Sequence, residues 1–235
     1  MYSRQISEPP ESIVRNGKAN FGTFSPVPSR LDIRGIRVPF AELPLPSVIT
    51  NVRIKSRLAY LFSIGNYIGI AEFFDDKIFG LAEVTFWNRE TGQKLSYRTL
   101  MGMRRRFVPI NLLAAACVSY RRSRHIRIVW NRKYNRIALS FNVHGPSPRP
   151  PVNCALVSSF TDPANKEILC VTPAPTTRRC SATWLFAMNI RGTLNIRPKH
   201  RHTAETQMEE TNGLGLMLMN RSYFKFHSKT DMMCG

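Results

Sequence analysis

The chain reads as an all-β protein whose main body is an antiparallel barrel, and three observations lead there. Apolar residues recur with a period of two: Ile137, Leu139, Phe141 and Val143 share one face, while Arg136, Ser140, Asn142 and His144 share the other. That is the alternation of a strand with one buried side. Turn signals separate such segments at regular intervals, which suits an antiparallel meander that closes on itself. Helical material is confined to residues 110–120 (INLLAAACVSY), a run short enough to be a buried strand.

Taken in order, residues 1–47 form a proline-rich arm (SEPPES, FSPVPS, ELPLPS) in which helix is disfavoured. Its apolar members Phe21, Phe24, Ile36, Val38 and Phe40 are suited to lie on a barrel. Residues 48–197 carry the barrel. They begin with the strand patterns TNVRIKS and RLAYLFSI, turn at Gly65-Asn66 and continue as YIGIAEFF. Asp75-Asp76 followed by Lys77 reads as a tight hairpin loop before IFGLAEVTFW, and NRETGQ at 88–93 reads as the next turn, before KLSYRTLM. HIRIVW and RIALSFNV flank the turn NRKYN. After the proline-rich GPSPRPPVN come CALVSSF, EILCVT and SATWLFAMNIRGTLNIR. Residues 198–235 are expected to be a linker and the first strand of an incomplete second β-domain, with LGLMLMNRSYFKFH as that strand.

Lys and Arg number 34 against 15 Asp and Glu, a formal charge of +19, while 43% of residues are hydrophobic. This is a folding composition, long enough to bury a core without staples. Between Glu90 and Asp162 there is no acidic residue, yet thirteen lysines and arginines. Such a one-signed field favours an anionic partner. Cysteines 117, 154, 170, 180 and 234 form no close pair, and an odd number cannot all pair within one chain, so reduced thiols in a cytoplasmic protein are expected. The N-terminus lacks the apolar core of a signal peptide, and no apolar run reaches the length of a transmembrane segment.

Candidate chemistry is sparse. Glu72 and Glu83 lie on successive strands and share a face, and either could serve as a general acid if that face lines a cavity. With a two-residue turn they fall several residue pairs apart, and the competing reading gives each an arginine partner. Arg104, Arg105 and Arg106 follow Gly102, and Arg178 and Arg179 follow PAPTT; guanidinium forks at strand ends suit a phosphate or carboxylate. Cys180 beside Arg179 invites a lowered thiol pKa. His200 and His202 have a chelating spacing but no third ligand, so no metal site is assigned. There is no GxSxG, P-loop or GxGxxG before a helix, and no cofactor is implied. Tyr97, Tyr120, Trp130, Tyr134 and Phe141 are interleaved with arginines, the mixture a single-strand nucleic-acid surface uses. Strand alternation instead places Trp130 with Ile126 and Ile128 on one face, a core side chain.

Several long blocks carry a resemblance: MYSRQI, the stretch from PLPSVITNVRIKS to KLSYRTLMG, RRRFVP, SRHIRIVWNRKYNRIALSFNV, PAPTTRRCSAT and LMNRSYFKF. In these the chain resembles a bacterial family known as domain of unknown function 2804, over almost its whole length. Met103 and Pro146 depart from the family pattern, which has proline and aspartate there. Members of that family extend well past the position of Gly235, so the resemblance implies an N-terminal portion, truncated. By analogy of fold it implies a lipocalin-like barrel similar to the two-barrel proteins that include carotenoid hydratases, and it transfers no catalytic residue.

Three functional readings follow. The first is a protein that binds or modifies a lipid-like or terpenoid small molecule, amphipathic or anionic, with its head held by Arg104 to Arg106 and Arg178 to Arg179. The second is a nucleic-acid-binding basic β domain built on residues 94–136, and the third is a fragment without function of its own. Enzymatic activity and oligomeric state are left open by the sequence.

Overall fold

The computed structural model describes residues 5–40, 46–102, 107–145, 149–174, 176–196 and 211–223. The first strands are short: β1 (Ile6–Ser7), β2 (Val14–Arg15), β3 (Lys18–Ala19) and β4 (Gly22–Phe24). The helix α1 (Ser47–Val52) precedes β5 (Lys55–Ile64), β6 (Tyr67–Asp75), β7 (Gly80–Asn88) and β8 (Lys94–Met101). Then come β9 (Ala114–Arg121), β10 (Arg124–Asn131), β11 (Arg136–Val143), β12 (Val152–Ser158), β13 (Lys166–Pro173), β14 (Cys180–Ile196) and β15 (Thr211–Ser222). The run at 110–120 is strand from Ala114 onward, and the helix instead follows Pro46 directly and takes up the first residues of the stretch expected as the strand TNVRIKS, where strand begins only at Lys55. Among the described residues no helix is long and apolar enough to cross a membrane.

The strands run β8-β7-β6-β5-β15-β14-β12-β11-β10-β9, each antiparallel to its neighbours. The two ends of this path approach each other, giving a nearly closed antiparallel barrel, as the sequence predicts. Arginines bridge the remaining seam: Arg121 Nη2 donates to Leu100 O at 3.1 Å, and Arg124 Nη1 donates to Arg98 O.

One part of the expected organisation is corrected. Residues 211–222 do not open a second sheet; β15 lies within the barrel wall, paired with β14 on one side and β5 on the other. Its alternating pattern, with Met217 and Met219 buried, marks a strand. Nothing in that pattern says which neighbours the strand takes, since its partner β5 is about 150 residues away in sequence.

Strand β14 is 17 residues long and serves two partners on its other edge. Its first half pairs with β13 and its second with β12. Beyond β13 lie β4 and then β1, so the arm contributes strands to the same sheet. The rest of the arm packs down, with Ile13, Phe24, Leu31, Ile33 and Ile36 buried, while Phe21 and Val38 stay exposed. Residues 29–31 meet 110–112 across one end of the barrel through Leu31 N to Ile110 O and Leu112 N to Ser29 O.

The bore is filled by side chains. Tyr60, Phe62, Phe73, Phe86, Tyr97, Trp130, Phe141 and Trp184 are all buried; Phe62 with Phe141 and Trp130 with Trp184 form ring pairs across it, and Phe86 stacks on Tyr97 of the adjacent strand. Each ring removed from water contributes about 2 to 3 kcal/mol before entropy is counted.

Candidate functional site

The β6–β7 hairpin settles the geometry of the two glutamates. A two-residue turn at 75–76 would place Glu72 opposite Phe79. The observed loop is longer: Asp75 Oδ1 accepts the Lys77 amide at 2.9 Å, Lys77 takes a positive φ of 70°, and Asp76 N donates to Phe79 O. Glu72 and Glu83 therefore face each other directly across the two strands, which corrects the expected separation. They do not line the bore, because Ala71, Phe73, Ala82 and Val84 hold that face. On the outer face each has an arginine. Arg57 Nε donates to Glu72 Oε2 at 3.0 Å, and Arg98 Nε donates to Glu83 Oε2 at 2.9 Å. Thr85 Oγ1 and Ser96 Oγ complete the shell of Glu83 at 2.7 and 2.9 Å. Two like charges at adjacent positions are held by two cations, an arrangement that stabilises the sheet.

Of the candidate anion-binding arginines, Arg104, Arg105 and Arg106 lie outside the described residues. Arg178 is exposed. The Arg179 guanidinium lies over the Phe40 ring at 5.4 Å, where the Arg53 guanidinium also lies at 4.9 Å. Phe40 in turn meets Tyr223 edge-on. This cluster sits beside the end of α1, at the end of the barrel where β5 and β14 begin and β15 finishes.

At that end a cleft of about 290 Å³ is lined by Arg34, Val48, Asn51, Val52, Ile54, Lys77, Ile110 and Arg221. Three basic side chains thus share a concavity with four aliphatic ones. Arg34 is paired with Asp32, and Lys77 Nζ lies 2.5 Å from Asp75 Oδ2. Burial pushes the Asp32 carboxyl upward, but hydrogen bonds from Arg34 and the charges of Arg34 and Arg221 outweigh it and hold the group below its ordinary value. Arg221 is itself buried, with Nη2 donating to Val108 O at 2.6 Å. Val48 is 72% exposed, and the neighbouring loop residues Ile78 and Phe79 are exposed as well. Arg221 was not singled out by sequence reasoning, although it continues the inward series of Met217 and Met219.

A larger cleft, about 590 Å³, lies where β12 and β13 part from β14, lined by Ser158, Asp162, Asn189, Arg191 and Asn212 among others. Its polar groups largely satisfy one another: Ser158 Oγ donates to Asn189 O at 2.6 Å and Asn189 Nδ2 to Asp162 Oδ2 at 3.3 Å. Those bonds hold the branch of the sheet together, which is a structural task.

The remaining candidates are resolved by burial. Cys180 is fully buried, and burial pushes its thiol up to about 12, which overturns the expected activation by Arg179. His200 and His202 lie outside the described residues. Of the five aromatics proposed as a stacking surface, Tyr97, Trp130 and Phe141 are buried in the bore, while Tyr120 and Tyr134 are exposed.

No protein-family model matches the chain, and no curated protein is similar to it. Among solved structures it is similar to kievitone hydratase from Nectria haematococca, at 10% identity and a TM-score of 0.27, over 70% of this chain and 88% of that one. A likeness of that degree says nothing about activity.

Proposed function

We propose that this protein binds an amphipathic small molecule with an anionic head at the barrel end. The observation that carries the reading is the cleft in which Arg34, Lys77 and Arg221 stand with Val48, Val52, Ile54 and Ile110. Cationic groups there suit a carboxylate or phosphate head, and the aliphatic side suits a short apolar tail. Arg53 and Arg179, both over Phe40, add positive charge nearby. The cleft's size sets the ligand at the small end of the usual range, where pockets span about 300 to 1,000 Å³. The bore, filled by rings, is not the site in this reading. Membership of the domain of unknown function 2804 family belongs to the same proposal and rests on the sequence blocks quoted above. No reacting group is assigned, since Glu72 and Glu83 are both held by arginines on the outer face.

Titration calorimetry with octanoate and octanol tests this. The carboxylate should bind at least about tenfold tighter, and Val48→Glu should weaken it by a similar factor. Equal affinity for acid and alcohol, or indifference to Val48→Glu in a folded variant, would overturn the proposal.

A further inference from the structure

The barrel's seam offers a second site of different chemistry. Strands β8 and β9 are the two ends of the sheet, so the edge of β8 that faces the seam lacks a β-ladder. Arg98 O and Leu100 O on that edge accept hydrogen bonds from arginine side chains instead. Beside them is a cleft of about 270 Å³ lined by Lys94, Ser96, Arg98, Arg124 and Arg149. Four cations from three separate segments of the chain thus border one small space.

Among the described residues little neutralises them. Arg98 has Glu83, yet its own side chain is 61% exposed. Arg124 spends its donors on two backbone carbonyls, Arg98 O and His144 O, which leave its charge unbalanced. The Lys94 ammonium lies 5.5 Å from the centre of the Trp87 ring. Arg149 is packed along its stem beside Gly145, where a β-carbon would come within 2.6 Å of the Arg149 Cβ. The charges of Arg149 and Arg124 both reach the Tyr97 hydroxyl, where burial raises the pKa and these two cations oppose it. That hydroxyl donates to Pro150 O at 2.5 Å. Among the described residues, Glu83 is the one carboxylate paired with a cation of this cleft. Like charges gathered this closely repel, and a multivalent anion relieves the repulsion more completely than a single carboxylate does.

We propose that the seam cleft binds a tetrahedral oxyanion of the phosphate type, bridging Lys94 and Arg98 on β7's neighbour β8 to Arg124 and Arg149 on the opposite side. The bound anion clamps the seam where the backbone ladder is missing. The site shares no residue with the barrel-end cleft, so its test is independent of the first proposal.

The test uses the full chain with inorganic phosphate, followed by thermal unfolding and by Trp87-sensitive fluorescence at constant ionic strength. Phosphate should raise Tm along a saturable curve that chloride does not reproduce. The double variant Lys94→Gln/Arg149→Gln should shift half-saturation upward by at least about tenfold, while Lys133→Gln, outside the cleft, should leave it unchanged. A phosphomonoester that saturates at lower concentration than inorganic phosphate would identify a phosphorylated ligand; equal saturation would identify the free ion. The proposal is overturned if the response is linear, if chloride matches it, or if the double variant titrates like the wild type. Should the double variant prove unstable, Lys94→Gln alone supplies the same comparison, because Lys94 is exposed.

Discussion

Replacing Gly192 by alanine should be among the most damaging small changes in this protein. Gly192 sits opposite Leu156 in the β12–β14 ladder with φ of +143°, a conformation that side-chain-bearing residues rarely adopt. A β-carbon there would lie 1.9 Å from Ala155 O and 3.0 Å from its carbonyl carbon, both backbone atoms of the neighbouring strand. Ordinary contact begins near 3.4 Å, so the strands must part or the chain must twist. The conformation costs about 1 to 3 kcal/mol, and losing two ladder hydrogen bonds costs about 1 kcal/mol each. The sum is roughly 4 kcal/mol, a large share of the stability of an ordinary domain. Gly65→Ala is the control: φ is +50° at the β5–β6 turn and a β-carbon meets nothing within 4 Å, so only about 1 to 2 kcal/mol of conformational cost applies. Equilibrium unfolding in urea, with unchanged slopes, measures both. If the two variants fall within about 1 kcal/mol of each other, close packing of backbone at Gly192 is not what requires glycine.

Other expectations are quicker to state. Glu83→Leu should destabilise by about 2 kcal/mol in the same assay, below the usual cost of breaking a buried pair, because Arg98 keeps much of its hydration. Asp32 has a folded pKa held below its ordinary value of 3.8, so its contribution is present at neutral pH and is lost as the pH falls through the folded value. Asp32→Asn should therefore lower stability at neutral pH, and the gap to the wild type should narrow in acid, as read from urea unfolding across pH. Among the described cysteines, Cys170 is half-buried whereas Cys117, Cys154 and Cys180 are buried. Mass-resolved alkylation of the folded protein should label Cys170 well before those three.

The strands were legible because burial on one side writes itself into the sequence: 137, 139, 141 and 143 are buried, and between and beside them stand Arg136, Ser140 and Asn142, with only Ala138 breaking the alternation. Trp130 was legible as core for the same reason. What the pattern could not supply was pairing. The register of Glu72 with Glu83 depended on the length of one loop, and Ile78 and Phe79 look like strand residues although they are exposed in that loop. The place of β15 depended on a partner far away in sequence, and the fork in β14 on two strands sharing one edge. The barrel-end cleft was hidden for a related reason: its lining comes from residues 34, 48–54, 77, 110 and 221, which only the fold brings together. The seam cleft was half visible, as a basic stretch without acids.

The position of β15 has a bearing on how the protein is made. Strands β5 and β14 flank it, and neither has its inner partner until residues 211–222 have been synthesised. On the ribosome the nascent chain must hold two hydrophobic strand edges unpaired while nearly all of the wall is already translated. Insertion of β15 between them then joins regions about 150 residues apart, a slow search by the measure of contact order. That order predicts chaperone dependence during translation and sensitivity to premature termination upstream of Thr211.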